Sequence, residues 1–108
     1  MRDLNDEQLM ARRLEWGDAQ SMAGEPIEFF PEEGGAPVAL AVVEASERHF
    51  APHMRQFALL LRGPAQPVYA QRTYRFRHAR LGEYAFFITP IGATAAGVDY
   101  EACFSHAP

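Results

Sequence analysis

One stretch constrains the fold more than any other: Gln56-Phe57-Ala58-Leu59-Leu60-Leu61-Arg62-Gly63-Pro64, a sustained apolar run that turn chemistry closes off abruptly. It reads as a central strand. Side chains alternate along a strand, so Phe57, Leu59 and Leu61 share one face while Gln56, Ala58, Leu60 and Arg62 take the other. Gly63-Pro64 ends the run, because proline lacks the N–H that a ladder needs and biases the residue before it away from helix.

A chain of 108 residues that builds on such a strand reads as one domain over 1–108, with a helical segment at 1–23 and a β region at 24–105. It is long enough to bury about 65% of its unfolded surface without staples. Cys103 is the only cysteine, so no internal disulfide is available, and a reducing compartment is favoured. The first residues, Met1-Arg2-Asp3-Leu4-Asn5-Asp6-Glu7, carry acids where a secretory signal needs an apolar core. No apolar run approaches the roughly 18 residues of a membrane span. The expectation is a soluble, cytoplasmic protein without a membrane partner.

Net charge is −4, but its distribution is lopsided. Residues 1–47 hold eleven acids against Arg2, Arg12 and Arg13, a sum of −8; residues 48–108 hold seven arginines against Glu83, Asp99 and Glu101, a sum of +4. Every basic residue is arginine, whose rigid fork suits protein interfaces better than the mobile ammonium of lysine.

Along the chain, Asn5 with Gln8 fits a capping box and Leu4 with Leu9 a hydrophobic staple, predicting a helix to about Glu15 that Gly17 interrupts. Asp18 is positioned to cap a second turn to Ala23, with Gly24 at the C′ position. The segment reads as a lid over an open end of the β structure. Pro26 to Phe30 is a short strand, expected at an edge because prolines flank it. Val38 to Ser46 is the next, with Val38, Leu40 and Val42 inward and a bulge fitting around Val43-Glu44-Ala45. Residues 47–54 read as a loop before the central strand. Thr73 to His78 alternates, Tyr74, Phe76 and His78 on one side and Thr73, Arg75 and Arg77 on the other. It forms a hairpin with Glu83 to Thr89 through a turn ending in Gly82. Residues 90–97 read as a loop, and Val98 to Phe104 as the last strand. Six short strands with little helix predict a mainly all-β fold: an antiparallel six-stranded sandwich or small open barrel with an N-terminal helix.

No constellation of residues marks a catalytic, metal or phosphate site. His49 and His53 have helical ligand spacing, but Pro52 between them removes the helix that would give the spacing meaning. His78 reads as a buried or rim histidine, and His106 lies close to the chain end. Cys103 reads as a small apolar filler, and Ser21, Ser46 and Ser105 lack a nucleophile-elbow context. Neither Gly34-Gly35 nor the Gly92 to Gly97 stretch matches a phosphate-cradling loop. Arg72, Arg75, Arg77 and Arg80 interleave with Tyr74 and Phe76 as in single-strand nucleic-acid binders, but alternation puts the aromatics opposite Arg75 and Arg77. That separation and a pI near 5.5 argue against nucleic acid.

The motifs Phe57-Ala58-Leu59-Leu60-Leu61-Arg62-Gly63-Pro64, Gln71-Arg72-Thr73-Tyr74, Leu81-Gly82, Phe86-Phe87-Ile88-Thr89-Pro90-Ile91-Gly92 and Tyr100-Glu101-Ala102-Cys103-Phe104 resemble a family of small bacterial domains of unknown function. Arg72 stands where that pattern has glycine, and Cys103 where it has valine. Members of the family are often encoded beside proteins like phage tail collars, which implies an accessory role in a tail-like or surface assembly. No catalytic residues follow from the resemblance. The expectation is a non-enzymatic interaction or structural module without cofactor or metal, with Arg62, Arg72, Arg75, Arg77 and Arg80 as candidate interaction surface. It would meet a protein partner, or a second copy, through oppositely charged surfaces. The alternative is a small β-barrel that binds an apolar ligand.

Overall fold

The structure, a computed structural model, describes residues 5–106. Two short helices, α1 (Asp6–Ala11) and α2 (Trp16–Met22), precede six strands: β1 (Pro26–Phe30), β2 (Val38–Ala51), β3 (Met54–Gly63), β4 (Arg72–His78), β5 (Gly82–Thr94) and β6 (Gly97–His106). All neighbouring strands run antiparallel, and the sheet closes on itself in the order β1-β2-β3-β6-β5-β4. The fold is therefore the barrel of the two expected architectures, and it is closed.

The central strand lies where its pattern put it, between β2 and β6, and Phe57, Leu59 and Leu61 are fully buried. Ala58 is buried as well, on the outer side, between Ser46 of β2 and Cys103 of β6. The β4–β5 hairpin turns through Ala79, Arg80 and Leu81 to Gly82, whose φ of 86° is left-handed backbone that glycine supplies without strain. The ladder begins at Arg72, paired with Ile88, and Arg72 has no left-handed backbone.

Four boundaries differ from expectation, each because pairing overrides local turn chemistry. β1 is not an edge: it pairs with β2 on one side and β4 on the other, and Pro26 is tolerated as its first residue. Residues 47–54 are not a loop, since β2 runs on to Ala51 and turns at Pro52-His53 directly into β3. Register shifts at Val42/Glu44 and at Glu47/His49 bend this long strand around the barrel, the first of them where the bulge was expected. The stretch at 90–97 likewise belongs to β5 up to Thr94, and its proline and glycine sit at a register shift between Pro90 and Gly92.

The fourth difference is the helical segment. The Asn5 capping box forms in both directions, with Gln8 N–H donating to Asn5 at 2.8 Å and Asn5 N–H to Gln8 at 3.1 Å. The Leu4 half of the staple lies outside the described residues. α1 stops at Ala11 rather than near Glu15, because residues 12–15 extend across the barrel mouth. There Leu14 is buried in the core and its carbonyl accepts a bond from His106 Nε2 at 2.8 Å, so His106 anchors the lid. Arg12 donates to the Glu83 carbonyl at 2.9 Å and lies 4.0 Å over the Tyr84 ring. α2 begins at Trp16, with Glu15 and not Asp18 in the N-cap position and no side-chain capping bond, and ends before Gly24, whose φ is 85°.

Aromatic rings fill the interior. Phe29 packs against Tyr69, Tyr74 and Phe76 at centroid distances of 4.8–5.5 Å, and Phe86 against Phe76, Tyr84 and Phe104 at 4.9–5.3 Å. One end is plugged by Leu14, Trp16, Ala19 and Met22 of the lid, Trp16 meeting Phe57 at 5.2 Å. Tyr69 closes the other, its N–H donating to the buried Tyr100 hydroxyl at 2.9 Å. Leu59→Ala is expected to lower the unfolding free energy by about 2–5 kcal/mol, and Leu60→Ala, on the half-buried outer face, by much less. Urea titration of the two variants checks the assignment of the strand's faces.

Candidate functional site

The outer face of β4 carries an open groove of about 800 Å³. One wall is the β1–β2 connection, Pro31 to Gly35; the floor is Arg72, Thr73, Arg75 and Arg77 with Glu83 beside them. A smaller cleft of about 320 Å³ shares Glu33, Thr73 and Arg75 and extends to Asp6, Leu9 and Met10 of α1 and to Ala85 of β5. The two form one groove between the Glu32-Glu33 loop and α1, with β4 as its floor.

Three of the five candidate arginines meet here. Arg75 and Arg77 face outward as alternation requires; Arg72 has the inward phase but lies at the end of the strand, 4.6 Å over the Tyr74 ring, donating to the Pro31 carbonyl at 2.8 Å. Arg62 and Arg80 lie elsewhere. Arg62, on β3, makes a two-pronged bond to Asp99 directly opposite on β6, at 2.6 and 3.1 Å. Arg80, in the β4–β5 turn, reaches Glu25 at 2.6 Å and the Ser21 carbonyl at 3.3 Å, tying the turn to the end of α2.

The groove's arginines already have partners in the chain. Arg77 bonds Glu28, its neighbour across the β1–β4 ladder, through Nε and Nη2 at 3.1 and 2.9 Å. Arg75 bonds the buried carboxylate of Glu83 at 3.0 Å, and Asp6 and Glu33 approach it from the two lips at 3.4 and 3.9 Å. Every described arginine has such a contact, including Arg13 with Glu15 at 3.3 Å, Arg48 with Glu101, and Arg55 with the Phe50 ring. The acidic first half and the arginine-rich second half thus fold onto one another, and the charge that divides the sequence does not persist as a bare cationic pole. The sequence leaves open whether the acids of the first half sit beside Arg75 and Arg77, as they do; what it does not single out is Glu83, the buried acid at the centre of this pairing. The only signal for it lay in the hairpin register that sets Glu83 opposite Arg77.

Other candidates are structural. His78 is buried; its Nδ1 accepts N–H bonds from Arg80 and Leu81 at 3.2 Å, so Nε2 carries the proton and donates to Glu25 at 2.9 Å. It holds the turn rather than facing a cavity. His49 and His53 are exposed on the β2–β3 hairpin, and no group of described residues is arranged to hold a metal ion. Cys103 is exposed on the outer face of β6 and not the apolar filler its sequence suggests; its thiol bonds Glu101 at 3.3 Å and is pushed above the ordinary thiol range by partial desolvation and by that carboxylate, the opposite of activation. No helix among the described residues is long and apolar enough to cross a membrane.

Residues 14–104 match the sequence profile of a family described as Domain of unknown function (DUF6916). The chain belongs to that family. The match begins at Leu14, where the chain enters the barrel mouth, so α2, the groove floor and all but the last two residues of the sheet fall within it and α1 lies outside. No curated protein and no solved structure matches the chain.

Arg62 holds the Asp99 carboxyl below its ordinary range by direct hydrogen bonding, and Arg80, then His78, do the same for Glu25. A depressed folded pKa contributes stability that is fully present above the unfolded value, about 4, and is lost as pH falls through the lower folded value. Asp99→Asn is therefore expected to reduce the loss of stability on acidification from pH 5 to pH 3, as read by urea titration at each pH.

Proposed function

We propose that the protein is a non-enzymatic interaction module that binds a protein partner across the outer face of β4 and β5. The observation that carries this reading is the division of space in the molecule. The barrel interior, where a ligand carrier keeps its cavity, is filled by packed rings and closed at both ends. An open groove lies on the outside with exposed apolar side chains beside it: Met10, 66% exposed, lines its smaller part, and Phe87, 51% exposed, stands opposite Thr73. Such a patch on a small domain marks a contact surface. The packed rings favour this reading over the alternative of an apolar ligand inside the barrel. Membership of a larger tail-like or surface assembly, which the resemblance implies, is compatible with a module of this kind and rests on the resemblance alone.

A photo-activated cross-linking residue in place of Thr73, on the groove floor, is expected to capture a defined protein in the native host. The same residue in place of Glu44, exposed on β2, should capture none. Equal capture at the two positions would refute a groove-centred partner. A lipid-like molecule retained by the purified protein in native mass spectrometry would overturn the reading in favour of the carrier.

A further inference from the structure

The groove that serves the proposed module also indicates the chemistry of its occupant. Among the described residues it is lined by three arginines, Arg72, Arg75 and Arg77, and four carboxylates, Asp6, Glu32, Glu33 and Glu83. The arginines are engaged within the chain, and the central one, Arg75, is only 21% exposed, whereas Asp6 and Glu33 on the two lips are each 82% exposed. Both lips lean on one nitrogen of Arg75, at 3.4 and 3.9 Å, while its other terminal nitrogen is held by Glu83. One guanidinium therefore faces three carboxylates, and the outer two retain open acceptor positions toward solvent.

An apolar strip runs beside these carboxylates. Ala85 and Met10 line the groove with Thr73, and Phe87 stands opposite Thr73 on the neighbouring strand and two residues from Ala85, so it shares their outward face. We propose that the groove docks an extended segment of a partner protein carrying basic side chains interspersed with apolar ones. The basic groups enter between Asp6 and Glu33, and the apolar groups cover Phe87 and Met10. Charge complementarity selects this occupant over an acidic one. No described arginine is left without an intramolecular contact, while Glu32, Glu44 and Glu47 make no ion pair among the described residues; the surface offered to a partner is acidic, as the net charge of −4 requires.

The inference rests on the module reading, and its test is separate. A fluorescein-labelled octapeptide alternating arginine and leucine is titrated with the full chain by anisotropy at about 0.02 M salt, where the Debye length exceeds 20 Å. Its glutamate–leucine counterpart serves as control. The arginine peptide is expected to bind and the glutamate peptide not to. The double variant Asp6→Asn, Glu33→Gln should weaken binding about three- to tenfold, as removal of two exposed charge contacts implies. Phe87→Ser should weaken it by a similar factor, and Glu44→Gln with Glu47→Gln, which removes the same charge elsewhere, should leave it unchanged. Absence of binding, or equal weakening by the Glu44 and Glu47 changes, overturns the proposal. So does a dimer in light scattering that Asp6→Asn with Glu33→Gln dissociates, since the groove would then be filled by a second copy. A partner captured at Thr73 while the peptide fails would leave the module standing and remove only its basic chemistry.

Discussion

Everything else in the molecule depends on the short pairing of β1 with β4, three residue pairs long, which turns an open six-stranded sheet into a ring. Closure removes the exposed edges that a sheet of this size otherwise presents to other chains. It also brings the stacked rings of Phe29 and Phe76 together inside, and sets Glu28 beside Arg77 outside. The inner contact supplies most of the adhesion, because two rings buried at 5.5 Å lose water-exposed area on all sides. The outer ion pair, half-exposed on each side, adds little stability but fixes the register in which the ring closes.

That closure explains what was legible in the sequence and what was not. The faces of the central strand, the β4–β5 hairpin, the first bulge of β2 and the Asn5 capping box were readable, because each is settled within about ten residues by alternation or by a cap. The continuation of β2 past Glu47 and of β5 through Pro90 was not. Both carry turn-like residues, and only a neighbouring strand far along the chain supplies the hydrogen bonds that turn an apparent loop into a bulge. The extended step from Arg12 to Glu15 was hidden for the same reason: Leu14, read locally, falls within a helix running to about Glu15, and the His106 that claims it at the barrel mouth is about ninety residues away. The candidate arginines were half-readable. Alternation placed Arg75 and Arg77 outside, but their carboxylate partners come from α1, β1, β5 and the β1–β2 connection, which no short-range pattern joins.

A lopsided charge distribution in a sequence invites the idea of two poles. Here antiparallel pairing interleaves the halves instead, Glu25 with Arg80, Glu28 with Arg77 and Asp6 and Glu33 with Arg75, so the segregation becomes a means of holding the acid-rich segments onto the barrel. The surplus is then negative, since the acids outnumber the arginines, and it is most open at Asp6 and Glu33, each far more exposed than the Arg75 between them.

α1 buries a single described side chain, Leu9, and touches the barrel chiefly over β5. A helix of six residues held so lightly opens at a small fraction of the cost of global unfolding. The family match begins beyond it, at Leu14, so this lip is the one wall of the groove outside the matched residues, and it can part from the floor without disturbing a single ring of the interior.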